Sequence, residues 1–524
     1  MLPRRRGTVP APGAPSAPAA RGTAWPMGFA ALAGATSLFS FAPFGAWPLQ
    51  FPLLAFLFYQ VGMSTSVRRA SLIGWAFGLG WSVAGMHWLY IAMHRFGGLP
   101  APLAALAILL LGAYMGLFAA CATGVAAWLR RRWSLPVAAY LMLVLPATWG
   151  LSEWLRGWVF TGFPWAASGY AHAAGPLSGF APLTGVYGIG VLVALCGACL
   201  TMLTQRARWP ALGLLGVLLL AGFGLTYIDW TRPHGAPIAV RLLQGNVPQE
   251  EKFDSAHVEQ ALALYHDLIT AAPADLVATP ETAIVLYPQQ LPPDYLAGLA
   301  RFAHDTRSSL MLGMPLTDSP VHFSNSVIGI GPAGQAYRFD KQHLVPFGEF
   351  VPAGFHWFVN LMQIPLGDFN RGAQVQPAFA VKDQRVLPNI CYEDAFGEEI
   401  AEQLRATTQP ATMLLNMSNL AWYGESVAIP QHLQISRMRA LETGRPMLRA
   451  TNSGATAVID AHGTVTALLA PYTRGVLAAS VQGMEGRTPY IRFGNGLFLV
   501  LAALALGAAW LSGRKVRRGV AKAP

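Results

Sequence analysis

Apolar and polar positions divide the chain into a long apolar part, a polar part and a short apolar end. A helix that spans a bilayer needs about 20 mostly apolar residues. Runs of this kind lie at residues 26–44, 48–65, 70–93, 101–129, 134–153, 183–204, 209–228 and 490–512. The pattern predicts a polytopic helical bundle with eight membrane spans, seven of them within residues 26–229. Residues 1–25 are rich in Pro, Ala and Arg, which predicts a disordered tail.

Between the seventh and eighth spans, residues 233–488 alternate short β-like runs with longer helical ones. The predicted strands are Ile238–Leu243, Leu276–Thr279, Ser309–Met314, Ser326–Ile330, Ala336–Phe339, Val386–Ile390, Thr412–Asn416, Met447–Ala450, Thr456–Ile459 and Thr464–Leu469. The predicted helices lie near residues 255–272, 293–306, 395–405 and 430–444. Strands that alternate with helices indicate a layered α/β domain in which helices cover a sheet.

The composition agrees with a membrane protein. Hydrophobic residues make up 53% of the chain and charged residues 12%, whereas soluble domains carry about 25% charged residues. The formal net charge is +11, yet residues 232–492 hold 18 Lys and Arg against 23 Asp and Glu, a net charge of −5. Because the positive excess lies in the tails and in short loops, it argues against a nucleic-acid partner.

The positions of the basic residues predict the orientation, because short loops rich in Lys and Arg stay in the cytoplasm. Basic residues flank the predicted spans at Arg4, Arg5, Arg6, Arg21, Arg68, Arg69, Arg130, Arg131, Arg132, Arg206, Arg208, Arg514, Lys515, Arg517, Arg518 and Lys522. Short loops on the opposite side hold only Arg95 and Arg156. With eight spans, every cluster falls on one face. Both termini, including the basic tail 513–524, are then cytoplasmic and the α/β domain is extracytoplasmic.

The cysteines point to one unusual thiol. Cys121, Cys196 and Cys199 lie within apolar runs, where small residues serve helix packing. Cys196 and Cys199 have the spacing of a redox or metal pair, but no second pair or His accompanies them, and no metal site is predicted. Cys391 is the only cysteine of the polar part.

Polar side chains follow three of the predicted strands directly. Glu281, Lys341 and Cys391 each stand just beyond a strand-like run. Ligand sites of open α/β sheets lie beyond strand ends, so the three side chains could converge. Taken singly, a Glu or Lys at a strand end is more often a solvated loop residue, and a lone Cys is more often inert. Together they supply a base, a cation and a nucleophile.

These residues stand in a set of recognisable motifs. The motifs are Gln244-Gly245-Asn246-Val247-Pro248-Gln249, Pro280-Glu281-Thr282, Asp340-Lys341-Gln342-His343-Leu344-Val345-Pro346-Phe347-Gly348-Glu349, Cys391-Tyr392-Glu393 and Asn419-Leu420-Ala421-Trp422-Tyr423-Gly424, followed by Gln431-His432 and the run Arg437-Met438-Arg439-Ala440-Leu441-Glu442. The chain resembles the nitrilase superfamily and, with its predicted spans, the integral membrane apolipoprotein N-acyltransferase family nearly end to end.

The resemblance implies a nitrilase-like αββα sandwich over residues 233–488. It implies Glu281 as general base, Lys341 as oxyanion stabiliser and Cys391 as nucleophile. The residues that would assist or shape the site are Glu349, Glu393, Tyr392 and Asn325.

The resemblance also implies a reaction. A fatty acyl chain would pass from a membrane phospholipid, through a thioester on Cys391, to the α-amino group of the N-terminal diacylglyceryl-cysteine of apolipoproteins in a bacterial inner membrane, without a cofactor. Because Glu281 must hold a proton near neutral pH in both half-reactions, we expect partial burial to raise its pKa, with Lys341 partly offsetting the shift.

The chain departs from the family pattern at four positions. Phe253 replaces a Trp, Leu420 an Asp, Tyr423 a Phe and Ser453 an Asn. The loss of the Asp puts a polar role at 420 in doubt. The apolar residues that are candidates for a substrate cleft or lid, or else for ordinary core positions, are Phe253, Leu361, Met362, Ile364, Leu366, Trp422 and Tyr423.

The aromatic loop after the fifth span permits two interpretations. Trp154, Trp158, Phe160, Phe163 and Trp165 fit an interfacial belt, or a half-inserted segment that walls a lipid-access site.

Two other functions remain possible from the residues. A membrane-bound amidase acting on a small amide would keep the triad and use water as acceptor. A transporter or receptor would need no triad, and charged residues would mark its pathway. The predicted spans are nearly free of charges apart from Glu153, which disfavours transport.

Overall fold

The structure is a computed structural model that describes residues 24–205, 208–319, 322–352, 354 and 369–520. Its apolar parts form a bundle of helices. These are α1 Ala24–Thr36, α2 Gln50–Gly62, α3 Val67–Met86, α4 Ala101–Trp133, α5 Leu145–Arg156, α6 Ala181–Met202, α7 Arg208–Leu225 and, at the end of the chain, α12 Gly496–Val520. Each predicted span overlaps one of these helices, and α2 alone lies wholly within its predicted bounds.

Four helices of the described chain are long and apolar enough to cross a membrane. They are Ala101–Trp133, Pro176–Met202, Arg208–Leu225 and Gly496–Arg518. The α1 and α2 helices have 13 residues each, and α5 has 12. Their apolar runs continue through other turns, such as the 3-10 helix Ser37–Ser40 before α2 and the π-helix Tyr140–Val144 before α5. Eight spans therefore remain a prediction, of which length and composition support four.

The basic ends of the bundle lie together. Arg130, in the last turn of α4, donates a hydrogen bond to the Gly62 carbonyl at the end of α2, 2.8 Å away. Gly513 of α12 packs so closely on the end of α4 that a Cβ there would lie 2.1 Å from the Trp133 carbonyl oxygen. The polar domain is joined to the opposite end of α12, which begins at Gly496.

Within the described residues, the polar domain contains two six-stranded sheets and one small sheet that pairs the domain's first strand with its last. The strands are β1 Arg232–Pro233, β2 Ile238–Gln244, β3 Leu276–Ala278, β4 Ser309–Ser319, β5 His322–Ile330, β6 Ala336–Asp340, β7 Phe379–Val381, β8 Gln384–Ile390, β9 Met413–Ser418, β10 Met447–Thr451, β11 Ala457–Ile459, β12 Val465–Leu468, β13 Gly475–Val481 and β14 Met484–Glu485. Its longer helices are α8 Ser255–Thr270, α9 Tyr295–Thr306, α10 Gly397–Ala406 and α11 Ala428–Thr443.

The first large sheet has the strand order β13-β2-β3-β4-β5-β6, and the second has the order β12-β11-β10-β9-β8-β7. The central strands β2, β3 and β4 are parallel, as are β8, β9 and β10. All ten predicted strands and all four predicted helices of the domain are present. The strands β1, β7, β13 and β14 were not predicted.

Side-chain alternation builds the layers, because successive residues of a strand point to opposite faces. On β4, Met311 joins a core that also contains Val386 and Met413 of the second sheet, so this core lies between the sheets. Its neighbours Leu310 and Leu312 join a separate core with α8 and α9. Residues of helices α10 and α11 pack in the same apolar cluster as the strands of the second sheet. Helices thus cover both sheets, and the domain is an αββα sandwich.

The bundle and the domain share packing. Ile435 and Met438 of α11 belong to the same apolar cluster as Tyr187 of α6. The α6 helix is interrupted at Gly185, which has a φ of 64°, and the Val186 N–H donates to the Glu442 carboxylate of α11 at 2.8 Å. The same carboxylate oxygen accepts from Arg439 at 2.8 Å.

Replacing Glu442 tests this junction. Glu442→Ala leaves the Val186 N–H without its acceptor and the buried Arg439 without its carboxylate. Removing one partner of a buried ion pair costs about 3–5 kcal/mol, and we expect a matching fall in thermal stability in detergent. Glu442→Gln, which keeps an acceptor, should lose less. Glu259→Ala, at an exposed position of α8, should leave the unfolding temperature unchanged. Equal unfolding temperatures for the alanine variants would contradict the role of this contact.

Candidate active site

Four strand ends meet at one edge of the sandwich. Glu281 lies just beyond β3, Lys341 directly follows β6, Cys391 directly follows β8 and Asn419 directly follows β9. Because β5 is antiparallel to both β4 and β6, β6 runs in the direction of β3. The carboxyl ends of β3 and β6 therefore share an edge, and β8 and β9 bring their own ends to it from the second sheet.

Lys341 lies between two carboxylates. Its Nζ is 3.2 Å from Oε1 of Glu281 and 2.8 Å from Oε1 of Glu349. Asn325 Nδ2 donates to the same two oxygens, at 2.8 Å each. The Lys341 side chain is 1% exposed. Burial opposes its charge, but the carboxylates of Glu349 and Glu281 outweigh that effect and raise the Lys341 pKa well above its usual value.

Glu281 is more acidic than the sequence led us to expect. Burial acts to raise its pKa, but two cations and two hydrogen-bond donors outweigh burial and lower the pKa below its usual value. They are Lys341, Lys252, the Asn325 amide and the Asn419 backbone N–H, which is 2.9 Å from Oε2. The expectation of a raised pKa was wrong, because it included a single offsetting charge. Glu281 is ionised at neutral pH.

Cys391 occupies a strained turn. Its φ of 54° lies in the left-handed region, which costs a residue other than Gly about 1–2 kcal/mol. Glu393 holds the turn, because its carboxylate accepts the N–H groups of Ile390 at 2.6 Å, Gln342 at 2.7 Å and His343 at 3.1 Å. Backbone strain of this kind clusters at functional sites and persists where the surrounding structure holds it in place.

The Cys391 carbonyl is held from behind. It accepts hydrogen bonds from Asn416 Nδ2 at 3.0 Å and from His432 Nε2 at 3.2 Å. Nε2 of His432 also lies 2.7 Å from Asp394, so this nitrogen faces two acceptors and carries a proton. Nδ1 faces the guanidinium of Arg449 at 3.0 Å and therefore accepts. A buried network thus supports the strained turn.

The thiol is protonated at rest. Burial raises the Cys391 pKa well above its usual value, the Glu281 and Glu349 carboxylates raise it further, and Lys341 lowers it. The site therefore pairs a thiol with an ionised carboxylate that can accept a proton, next to a cation that can stabilise negative charge. This arrangement suits nucleophilic attack on a carbonyl carbon with base assistance. Among the described residues, no three His, Cys, Asp or Glu side chains lie close enough together to hold a metal ion.

Comparison with known proteins gives the family. A family model described as Apolipoprotein N-acyltransferase N-terminal domain matches residues 33–199, and one described as Carbon-nitrogen hydrolase matches residues 239–490. The apolipoprotein N-acyltransferase of Ralstonia nicotianae is 51% identical over 485 residues, which cover 91% of this chain and 92% of that protein. The chain belongs to the apolipoprotein N-acyltransferase family.

Another relative, the apolipoprotein N-acyltransferase of Bordetella bronchiseptica, is 43% identical over 96% of this chain and 100% of that protein. Among solved structures, a CN-hydrolase superfamily protein from Xanthomonas campestris aligns with a TM-score of 0.38 at 18% identity, over 47% of this chain and 91% of that one.

The predicted substrate-binding residues of this apolipoprotein N-acyltransferase family member lie around the site. Phe253 is 59% exposed. The rings of Trp422 and Phe96 are 5.7 Å apart, and those of Tyr423 and Trp88 are 4.5 Å apart. Phe96 and Trp88 belong to the segment after α3, so the bundle contributes to these aromatic contacts. The remaining candidates for the cleft or lid, Leu361, Met362, Ile364 and Leu366, lie outside the described residues.

Leu420 has no polar role. It is 1% exposed and packs with Ile429 and Ala455, against Cys391. An apolar contact thus stands where the family pattern has an Asp.

The aromatic loop after α5 reaches the site. Tyr392 Oη donates to the Gly162 carbonyl at 3.1 Å, and the Phe163 ring stacks on the Tyr392 ring at 5.9 Å. Trp158 and Phe160 are 55% and 81% exposed. The loop thus contacts the residue next to Cys391 and also presents two exposed aromatic rings, and both interpretations stay predictions.

Sequence reasoning missed three residues at the site. Lys252 and Asn419 both contact Glu281. His432 contacts Cys391. Asn419 and His432 stood inside quoted motifs, and Lys252 follows another by three positions, so proximity to a motif was the available signal.

Removing the shared cation tests the charge arrangement. Lys341→Met removes the cation that lies between Glu281 and Glu349, and we expect a loss of about 3–5 kcal/mol in unfolding free energy. The lowered Glu281 pKa stabilises the native protein above its unfolded-state pKa, and that stability is lost as pH falls through the lowered value. In the variant the Glu281 pKa rises, because Lys341 is one of the charges that lower it, so the destabilisation should shrink as the pH falls.

The matched comparison is the double variant Lys341→Met/Glu349→Gln, measured by thermal unfolding in detergent. Removing one carboxylate should restore part of the stability. Strictly additive losses from the two single changes would contradict the shared contact.

Proposed function

We propose that the protein transfers a fatty acyl chain from a membrane phospholipid to the α-amino group of the N-terminal diacylglyceryl-cysteine of apolipoproteins. Cys391 carries the chain as a thioester between the two half-reactions. The family relationship supports this proposal, since its relatives are named apolipoprotein N-acyltransferases. No cofactor or nucleic acid takes part.

One observation favours a lipid substrate: the wall of the site comes from the bundle. The residue after Cys391 is hydrogen-bonded to Gly162 and stacked on Phe163 of the loop after α5. Exposing an acyl chain to water costs about 0.8 kcal/mol for each CH₂, so both acylated substrates must react next to the bilayer. A nucleophile in contact with the bundle satisfies this requirement.

We further propose that the protein lies in a bacterial inner membrane with eight spans. The basic ends of α2, α4 and α12 lie together, and loops rich in Lys and Arg stay in the cytoplasm. The domain at the other end of α12 is then periplasmic, where lipoprotein N-termini and outer-leaflet phospholipids meet, and both chain termini are cytoplasmic.

In the first half-reaction, the Cys391 proton passes to Glu281 as sulfur attacks an ester carbonyl of the phospholipid. Negative charge develops on the carbonyl oxygen, where Lys341 and the Tyr392 backbone N–H stabilise it. One such donor contributes a factor of about 10²–10³. The carbon–oxygen bond then breaks, and the leaving alkoxide takes the proton from Glu281. A lysophospholipid departs and the thioester remains.

In the second half-reaction, the α-amino nitrogen of the acceptor attacks the thioester carbonyl and gives a proton to Glu281. The carbon–sulfur bond breaks, and the thiolate of Cys391 recovers that proton. The product is an amide, so the transfer from thioester to amide runs downhill. Glu281 gains and returns one proton in each half-reaction, which an ionised resting carboxylate permits.

The surrounding residues have supporting roles in this proposal. Glu349 and Asn325 fix Lys341 and Glu281, while Glu393 holds the turn at Cys391. The aromatic residues expected to contact the acyl chains are Phe253, Trp422 and Tyr423, while Tyr392 shapes the site.

The competing activity is hydrolysis of a small amide with water as acceptor. Both activities use the same triad, so loss of activity in triad variants does not separate them. The acceptor does: only the transferase forms an N-acylated peptide.

The decisive assay incubates detergent-solubilised protein with a phospholipid and a synthetic diacylglyceryl-cysteine peptide, and measures N-acylated peptide by mass spectrometry. Wild type should form it. Cys391→Ser and Glu281→Gln should reduce the rate at least about 10²-fold, as expected when a nucleophile or its base is lost. Cys121→Ser, at an exposed position of the bundle, is the control and should retain activity.

A parallel reaction with acetamide measures ammonia release. Ammonia without N-acylated peptide would replace the transferase by the amidase. Full N-acylation by Cys391→Ser would remove Cys391 from the reaction.

A further inference from the structure

Lys252 is a buried cation with no part in the triad. Residues 233–488 contain three lysines, Lys252, Lys341 and Lys382. Lys382 pairs with Asp275 and its side chain is 61% exposed, while Lys252 is 4% exposed. It ends the short helix Gln249–Lys252, which follows β2. Burying an ammonium is costly unless it meets negative charge or hydrogen-bond acceptors.

The ammonium of Lys252 faces the catalytic residues. Nζ donates to the Glu281 backbone carbonyl at 3.1 Å, the one acceptor of Lys252 among the described residues. The ionised group that acts on it at rest is the Glu281 carboxylate, and Cys391 adds a second negative charge once its thiol has lost the proton. Phe253 covers another side, with its ring centroid 5.8 Å from Nζ. On its own helix, Glu250 is paired with Arg95 instead.

The charges of the neighbouring side chains explain why a cation is needed at this position. The hydrogen-bonded group of Glu281, Glu349 and Lys341 holds two carboxylates and one ammonium, a net charge of −1. The neighbouring acids are already satisfied, since Glu393 accepts three backbone N–H groups and Asp394 pairs with Arg449. Lys252 brings the group of four side chains to neutrality. When Cys391 is counted as well, proton transfer from its thiol to Glu281 leaves the total charge of the five side chains at zero.

We propose that Lys252 is a positioning residue of the catalytic site, which holds the main chain at Glu281 and balances the second carboxylate, so that Glu281 stays ionised and ready to accept a proton. This role rests on the proposed function only for the identity of the substrates. The contact and the charge balance concern the thiol and its base, whatever carbonyl compound they act on.

The proposed role predicts that the rate at which Cys391 reacts depends on the protonation state of Lys252. Burial lowers the Lys252 pKa to about 8, with Glu281 and Cys391 acting in the opposite direction. Its charge is therefore present below about pH 8 and lost above it. Lys252 is also among the charges that lower the Glu281 pKa. Removing it should raise the pH at which Glu281 becomes ionised.

The test measures alkylation of Cys391 by iodoacetamide in the full-length protein, at the peptide level, from about pH 4 to about pH 10. In Lys252→Met, the acid limb of the rate should move up by about one pH unit, the usual effect of losing one close opposite charge. The alkylation rate of wild type should show an inflection near pH 8, where Lys252 loses its charge. Lys252→Arg should lack this inflection, because a guanidinium stays charged. The acid limb of Lys252→Arg should stay where it is in wild type.

Lys382→Met is the matched control, and its profile should equal that of wild type. Thermal unfolding identifies any variant that fails to fold. If one of the two Lys252 variants does not fold, the alkylation profile of the other one tests the proposal. An unmoved acid limb in folded Lys252→Met, or a retained inflection in folded Lys252→Arg, would overturn the proposal. N-acylation by wild type is measured in parallel. Its absence would reject the proposed function, while the alkylation profiles would still report on Lys252.

Discussion

The ammonium of Lys341, buried between the carboxylates of Glu281 and Glu349, is the contact on which the catalytic edge depends. Two carboxylates this close inside a protein repel each other, and without the cation at least one would take up a proton. The sandwich is built around this requirement: β3 and β6 share a direction, so Glu281 and Lys341 reach the same edge. Asn325 of the intervening strand donates to both carboxylates.

The second constraint is the contact between the nucleophile and the bundle. Cys391 follows a strand of the domain, yet Tyr392 beside it is bonded to Gly162 of the bundle, and α11 shares its core with α6. A domain joined only by flexible linkers would place its thiol at variable heights above the bilayer. The shared packing fixes that position. In the proposed reaction, this contact keeps the Cys391 thiol next to the part of the protein that would hold the acylated substrates.

The sequence was informative where a pattern is local. Glu281, Lys341 and Cys391 were predicted at strand ends because a short apolar, strand-like run directly precedes each of them. The expected Glu281 pKa was wrong because it depends on Lys252, whose approach to β3 no local pattern encodes. Strands β7 and β13 were missed since β7 has three residues and β13 mixes buried and exposed positions. Three of the predicted spans hold helices of only 12 or 13 residues, because their apolar runs continue through other turns such as 3-10 and π-helical ones.

The central claim is that Cys391 carries the acyl chain, and intact-protein mass spectrometry tests it most directly. The protein is incubated with a phospholipid and no acceptor, and its mass is measured before and after treatment with hydroxylamine. The account predicts the added mass of one acyl chain on Cys391 that hydroxylamine removes, as it removes a thioester. An adduct of equal amount in Cys391→Ala, or no adduct in wild type that is active with the acceptor present, would contradict it.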